Sequence, residues 1–430
     1  MTPDKSDQAT TRRREFIKRS ATALVATSLP ASHETLALQR KSVDQPASAP
    51  DDVFPLRTIT AGVNITTEGY AGVLTEADNF LRHAQHIMEA EGFPVQTTRI
   101  TTQPGALYMQ GVAIEAYEHM LEDMRNHTEG HLLAVGPGIV DDKYDPEAIQ
   151  KTCTNAALGI SSTIVIGTRA TGIHYRAIDA AAEIIKQLSE TDPMQNFAFA
   201  AIANVPSEVP FFPGGYHGKA HNSFTVGTEA ANLFVKVCGE ITDLQTAGLA
   251  LLEAYTGKLE LIEKVCLTIQ EHTGWRFEGI DPTPAQWGEK SIGTAIESLT
   301  NAPFGSPGTL AACRIMTKVI KNVSVKQAGY SGLFLPPMED ATLARRAHDY
   351  YGLDALLSYS AVCGTGLDAV AVPGDITVEE LRRILFDVAS VAIQLNKPLT
   401  ARLFPIPGKA AGETTGRLGD LFPMKVLSVR

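Results

Sequence analysis

One pattern limits this chain more than any other. Short runs rich in β-branched and apolar residues alternate with stretches whose apolar side chains recur every three and four positions. The strand-like runs are Leu56–Val63, Val95–Thr101, His131–Val135, Ser162–Ile166, Phe197–Ala203, Ala328–Leu335, Leu367–Val372 and Thr400–Phe404. Between them lie helical patterns over Glu76–Glu91, Tyr175–Ser189, Glu229–Lys264, Thr309–Ile320, Glu339–Tyr351 and Val378–Asn396. Strands separated by helices pair most simply in parallel, through crossover connections. Eight or more such units predict a barrel or a large doubly wound sheet. No charge run or linker cuts residues 54–430, so a single large α/β barrel-like domain is expected there. The long helical pattern over Ala230–His272 is the expected insertion.

Ahead of that domain the pattern changes. Arg13 and Arg14, followed by Glu15, Phe16, Ile17 and Lys18, resemble a twin-arginine export motif, and a weakly apolar run follows from Ala21 to Leu29. Residues 1–37 are therefore expected to be a signal peptide that sends the protein to the periplasm or outside the cell. Residues 38–53, rich in Pro, Ser, Ala, Asp and Gln, are expected to be a disordered linker. The formal net charge is −11 and no long apolar run occurs. A nucleic-acid partner and a stable membrane span are accordingly not expected. The five cysteines are odd in number and form no Cys-x-x-Cys pair, so neither a disulfide framework nor a zinc ribbon is expected.

Nine segments taken together carry a family resemblance. They are Ser161-Ser-Thr-Ile-Val-Ile-Gly-Thr-Arg-Ala-Thr-Gly172, Asn204-Val-Pro, Phe211-Phe-Pro-Gly-Gly-Tyr-His217-Gly, Gly279-Ile-Asp281-Pro-Thr-Pro284, Gly305-Ser-Pro-Gly308, Gly329-Tyr-Ser-Gly332-Leu-Phe-Leu-Pro-Pro-Met-Glu-Asp340, Val362-Cys363-Gly-Thr-Gly-Leu-Asp368, Val372-Pro-Gly-Asp375 and Pro405-Ile-Pro-Gly-Lys409. In this order they resemble the domain of unknown function 711 and the related uncharacterised protein family 0210. The resemblance implies a pyruvate formate-lyase-like barrel, entered by a central loop. It implies no activity, because the family has none assigned. A cysteine on such a loop carries the radical in glycyl-radical enzymes. The partner glycyl loop of Arg-Val-x-Gly-Tyr type is missing near the C-terminus, so true glycyl-radical chemistry is not expected.

The residues offer several chemical candidates, each with a plainer reading beside it. Cys363, between glycines, reads as a reactive site residue or as a buried thiol. Asp368 reads as a base or as a strand cap. Arg169, after Gly167 at a strand end, reads as a carboxylate or phosphate clamp or as a surface ion pair. Lys409 reads as an anion anchor or a solvated side chain. His217 and His221, spaced by four, with Glu229 beyond them, suggest a metal site only if the backbone is helical, and Gly214, Gly215 and Gly218 argue against that. No dinucleotide fingerprint, phosphate loop, zincin motif or nucleophile elbow occurs, and the cofactor is left open. Arg57-Thr-Ile-Thr and Arg99-Ile-Thr-Thr form a short repeat.

The resulting expectation is an enzyme that acts on a small anionic metabolite in a barrel pocket, by a reaction left open. Cys363, Asp368 and His217 would stand at the reacting centre, and Arg169, Lys409 and Asn204 would hold the substrate. The alternative is a non-catalytic periplasmic binding protein using the same pocket. Parallel strands would bring Cys363, Asp368, Arg169 and His217 to one face, at the carboxyl ends of the strands. A homo-oligomer is compatible with either reading.

Overall fold

The computed structural model describes residues 54–241 and 243–429. The expected signal peptide and linker, residues 1–53, lie outside the described residues. The described chain forms one mixed α/β domain built on a ten-stranded sheet. The strands are β1 (Leu56–Val63), β2 (Val95–Thr102), β3 (Leu132–Ile139), β4 (Ser161–Thr168), β5 (Gly172–Ile173), β6 (Phe199–Ala203), β7 (Ser223–Thr228), β8 (Arg276–Asp281), β9 (Gly366–Pro373) and β10 (Leu399–Ile406). Their spatial order is β8-β7-β1-β2-β3-β4-β6-β10-β9, with β5 paired to β4.

The expected all-parallel arrangement needs correction. β1, β2, β3, β4 and β6 run one way, but β7 lies antiparallel to β1 and β10 antiparallel to β6. β8 follows the direction of β7, and β9 that of β10. The sheet is also not closed by strand pairing, since β8 and β9 are the ends of the path. The run Ala328–Leu335, expected as a strand, is irregular. Its backbone bonds go to β8 at Ile280 and, further on, to the Gly364 amide just ahead of β9, so it spans the gap between the two sheet edges. Positive φ at Gly329 (70°) and Ser331 (46°) is incompatible with an extended strand.

The helices are α1 (Tyr70–Ala90), α2 (Ile114–His127), α3 (Pro146–Ala157), α4 (Tyr175–Thr191), α5 (Ala231–Glu240), α6 (Leu244–Thr273), α7 (Ile292–Thr300), α8 (Thr309–Asn322), α9 (Ala341–Arg346), α10 (Leu353–Ser360) and α11 (Val378–Gln394). Local chemistry sets their ends. Thr377 and Glu380 form a reciprocal cap at the start of α11, and Asp145 with Pro146 opens α3. The helical pattern over Glu229–Lys264 is two helices, because the Asp243 carboxylate accepts from the Thr246 amide at 2.7 Å and starts α6 afresh. The pattern over Glu339–Tyr351 shortens to α9, since Asp340 caps the amides of Thr342 and Leu343.

Alternation along the strands divides the interior in two. On β6, Phe199, Ala201 and Ala203 join the large core packed under the helices. Ala200 and Ile202 face the other way, into a smaller core with Val205, Val209, Phe211, Ala285, Tyr330 and Phe334. The residues that fill this second side come from loops 205–217 and 330–336 and, at Ala285, from the segment after β8. Among the described residues no helix is long and apolar enough to cross a membrane.

Candidate functional site

Beside the smaller core is a cavity of about 230 Å³. Arg57, Thr97, Leu132 and Ser161 reach it from the first half of β1, β2, β3 and β4, Arg99 from the middle of β2, and Phe197 from just before β6. The cavity therefore lies at the amino ends of the five strands that run together. Carboxyl ends contribute only from the strands that run against them: Ala285 to Trp287 follow β8. Asp368 of β9, Arg402 of β10 and Glu339 complete the polar wall, with Phe211, Phe212 and Phe334 around them.

Three arginines and four acids, Asp192, Glu339, Asp368 and Asp420, line the cavity, and each guanidinium lies over an aromatic ring. Arg57 lies 5.4 Å from the centre of Trp287, Arg99 5.1 Å from Phe212 and Arg402 4.9 Å from Phe197. Arg402 is neutralised. Its Nε donates to Asp368 Oδ1 at 2.7 Å and its Nη2 to Glu339 Oε1 at 2.5 Å. Burial works against its charge, but the two carboxylates hold its pKa above the usual arginine value. Arg99 is different. It is 5% exposed, and among the described residues no carboxylate pairs with it; it donates only to Thr97 Oγ1 (3.2 Å) and the Pro210 carbonyl (3.4 Å). Burial, with Arg57 and Arg402 adding to it, lowers its pKa to about 9, and Glu339 opposes that shift. Arg57 donates to Gln96 Oε1 at 2.9 Å, Gln96 donates to Glu229, and Glu229 also accepts from Lys290 Nζ at 2.5 Å. Burial raises the pKa of Glu339; Arg402 lowers it and Asp368 raises it further.

Of the residues singled out from the sequence, Asp368 lines this cavity. Cys363 is fully buried in the large core, and burial raises the pKa of its thiol. Its carbonyl accepts from Lys397 Nζ. Arg169 is exposed at the carboxyl end of β4, where its backbone N–H donates to Asn204 Oδ1 at 3.1 Å. That is the opposite end of the strands from the cavity. Lys409 lies in an open surface groove with Lys186, Glu190, Asp375 and Glu413. The expected convergence of Cys363, Asp368, Arg169 and His217 on one face does not occur. Its premise, that all strands run in parallel, fails here.

His217 belongs to a separate buried cluster. Its Nδ1 is 3.2 Å from Glu208 Oε1, Ser223 Oγ donates to Glu208 Oε2 at 2.8 Å, and the Gly218 amide donates to Oε1 at 2.7 Å. Burial tends to raise the pKa of Glu208, but these partners lower it overall. His217 does not join His221 and Glu229 around a metal: His221 pairs with Glu278 and Glu229 with Lys290. Among the described residues no group of three or more histidine, cysteine or acidic side chains is placed to hold a metal ion.

Arg99, Arg402, Glu339 and the aromatic wall do not stand out as site residues in the sequence. One signal is present there: the Arg57 and Arg99 repeat puts an arginine near the start of β1 and in the middle of the threonine-rich β2.

With this geometry in view, the chain matches the family model "Uncharacterised ACR (DUF711)" over residues 51–416. It belongs to that family. Among curated relatives, it is 26% identical to a UPF0210 protein of Methanopyrus kandleri over 417 residues, covering 87% of this chain and 92% of that one. Its identity to a UPF0210 protein of Lactobacillus helveticus is 24% over 400 residues, 84% of this chain and 88% of the relative. A UPF0210 protein of Pyrobaculum islandicum is 32% identical over 294 residues, 64% of this chain and 62% of that protein. These names state no activity. In this member of the DUF711 family, the inner cavity brings Arg57, Arg99 and Arg402 together with Glu339 and Asp368.

Proposed function

We propose that the protein binds a small organic anion in the inner cavity and acts on it as an enzyme. The observation that carries this reading is Arg99: buried, lining the cavity, and without a carboxylate partner among the described residues. An unpaired guanidinium is costly to bury, and a bound carboxylate, sulfonate or phosphate would supply the missing charge. Arg57 stands beside it as a second anchor. Ring edges and apolar side chains such as Phe211, Phe334 and Leu132 would receive the body of the ligand. The volume, about 230 Å³, suits a metabolite rather than a drug-sized molecule. Glu339 and Asp368, which share Arg402, are the acid–base groups of the enzyme reading.

The test is thermal melting of the full chain with a panel of small carboxylates, sulfonates and phosphates, repeated on Arg99→Met. At least one anion should raise the melting temperature of the natural protein and leave that of the variant unmoved. Equal stabilisation of both proteins would remove Arg99 from the site. Product formation from the bound anion separates an enzyme from a binding protein, which would only saturate.

Export by the twin-arginine route to the periplasm or beyond is the second part of the proposal. Arg13, Arg14 and the apolar run Ala21–Leu29 support it. Arg13→Lys with Arg14→Lys should leave the protein in the cytoplasm. Unchanged recovery outside it would overturn this part.

A further inference from the structure

We infer that the ligand of the inner cavity is a zwitterion of amino-acid type, carrying an ammonium as well as its anionic group. The inference rests on the anion reading above and adds the second pole. The cavity wall holds unpartnered polar atoms of both signs. Arg99 is 5% exposed, and its Nη2 donates to nothing among the described residues; Arg57 beside it has no carboxylate of its own there. Two acids line the same space, Glu339 and Asp368, which are 9% and 7% exposed. Arg402 spends Nε on Asp368 Oδ1 and Nη2 on Glu339 Oε1, so one guanidinium serves two carboxylates. Glu339 Oε2 and Asp368 Oδ2 accept no hydrogen bond among the described residues.

Each pole asks for a different group. A carboxylate on Arg99 supplies the charge-assisted hydrogen bonds that this guanidinium lacks. The acid pair carries one negative charge more than its arginine cancels, and the fork of Arg402 holds both carboxylates in place. An ammonium neutralises that charge, and its N–H groups can donate to Oε2 and Oδ2 together. A hydroxyl would fill the hydrogen bonds but leave the charge, in a space where charge is poorly screened. The full lining points the same way. Its charged residues are three arginines and four acids, the other two acids being Asp192 and Asp420, so negative charge is in excess by one. Asp420 is exposed and Asp192 half-buried; toward solvent they oppose the entry of a second anionic group and favour a cation. A dicarboxylate therefore meets like charge, and a plain monocarboxylate leaves the acid pair unfilled. A ligand with one anionic and one cationic group, on an apolar body enclosed by Phe211, Phe212 and Phe334, uses both poles.

The probes are pentanoate, its 2-amino and 5-amino derivatives, and glutarate, which share one chain length and differ only in their polar groups. Binding to the full chain is measured by titration calorimetry at neutral pH, where both amines are protonated. At least one amino derivative should bind about tenfold or more tighter than pentanoate and glutarate, the size expected of hydrogen bonds to charged groups. Arg99→Met should abolish that binding. Glu339→Gln, which removes the charge and keeps the volume, should cut the preference to about twofold or less. Pentanoate or glutarate binding as tightly as the better amino derivative, in an Arg99-dependent way, would overturn the inference, and that result stands even if Glu339→Gln fails to fold. A preference that persists unchanged in Glu339→Gln would overturn it too, because the ammonium would then lie elsewhere. If none of the four probes binds in an Arg99-dependent way, the anion reading itself fails and the zwitterion goes with it.

Discussion

Arg99 and Arg402 are both buried in the same cavity wall, yet they make opposite predictions. Arg402 has two carboxylates on it, so its removal leaves Asp368 and Glu339 as buried charges without a cation. Arg402→Met should cost about 3–5 kcal/mol. Arg99 has no such partner among the described residues, and its guanidinium is desolvated for contacts with one hydroxyl and one distant carbonyl. Arg99→Met should leave stability unchanged or raise it by about 1 kcal/mol, because an apolar side chain of similar length fills the space without the desolvation cost. Urea unfolding of the two variants checks both, as shifts of midpoint at constant slope. A large loss for Arg99→Met would make it a structural residue and weaken the anion reading. This contrast also explains what the sequence concealed. Asp368 was readable as a candidate because Gly364 and Gly366 lead to it from Cys363. Arg99 and Arg402 sit inside strands, where a long polar side chain looks like ordinary strand surface unless the inner face of the sheet is known to be a cavity wall.

Two carboxylates hold the inner loops in place, and each can be tested alone. Asp281 closes β8 on the segment that bridges the sheet edges: its oxygens accept from the amides of Thr283, Tyr330 and Ser331 and from the Thr283 hydroxyl. Asp281→Asn puts an N–H₂ against buried donors and should destabilise by about 1–3 kcal/mol, read by chemical unfolding. Glu208 clamps the loop that ends at His217. Its folded pKa is lowered below the usual 4.5, so its contribution is present above that value and is lost as pH falls through the folded pKa. Glu208→Gln should therefore flatten the dependence of stability on pH below about 4.5; an unaltered slope would show that other groups govern acid unfolding. At this scale the sequence was informative wherever periodicity was strong. β1, β2, β4, β6, β9, β10, α4, α8 and α11 lie close to their expected spans. β7 and β8 were hidden because their short runs, Ser-Phe-Thr-Val-Gly-Thr and Arg-Phe-Glu-Gly-Ile-Asp, carry glycine and charge. Ala328–Leu335 read as a strand because its composition is apolar, but after Ala328, which bonds to β8, the amides of Tyr330 and Ser331 turn to the Asp281 carboxylate.

The order of strands makes the chain indivisible in a way that its order in sequence does not. The first five long strands, β1 to β4 and β6, come from one stretch and pair with one another. The four strands of the second stretch do not build a sheet of their own. β7 and β8 return to pair beside β1, while β9 and β10 travel to the far side and pair beside β6. The cavity is shared in the same manner: Arg57 and Arg99 come from the first stretch, Trp287, Glu339, Asp368 and Arg402 from the second. The smaller core likewise takes Ala200 and Ile202 from one and Ala285, Tyr330 and Phe334 from the other. Cutting the chain between Asn222 and Ser223 would therefore expose β1 and β6 as long bare edges on the first piece and leave β7–β8 and β9–β10 as two separate pairs on the second. Paired strands without a third strand or a covered face are marginal in water, and bare edges aggregate. Residues 54–222 and 223–430 expressed separately should each lack a cooperative unfolding transition in urea, followed by near-ultraviolet circular dichroism, whereas residues 54–430 should show one. A separate piece that melts cooperatively would mean that the inner cavity lies between two domains, and the buried arginines would then be sited at a joint able to open rather than inside one folded unit.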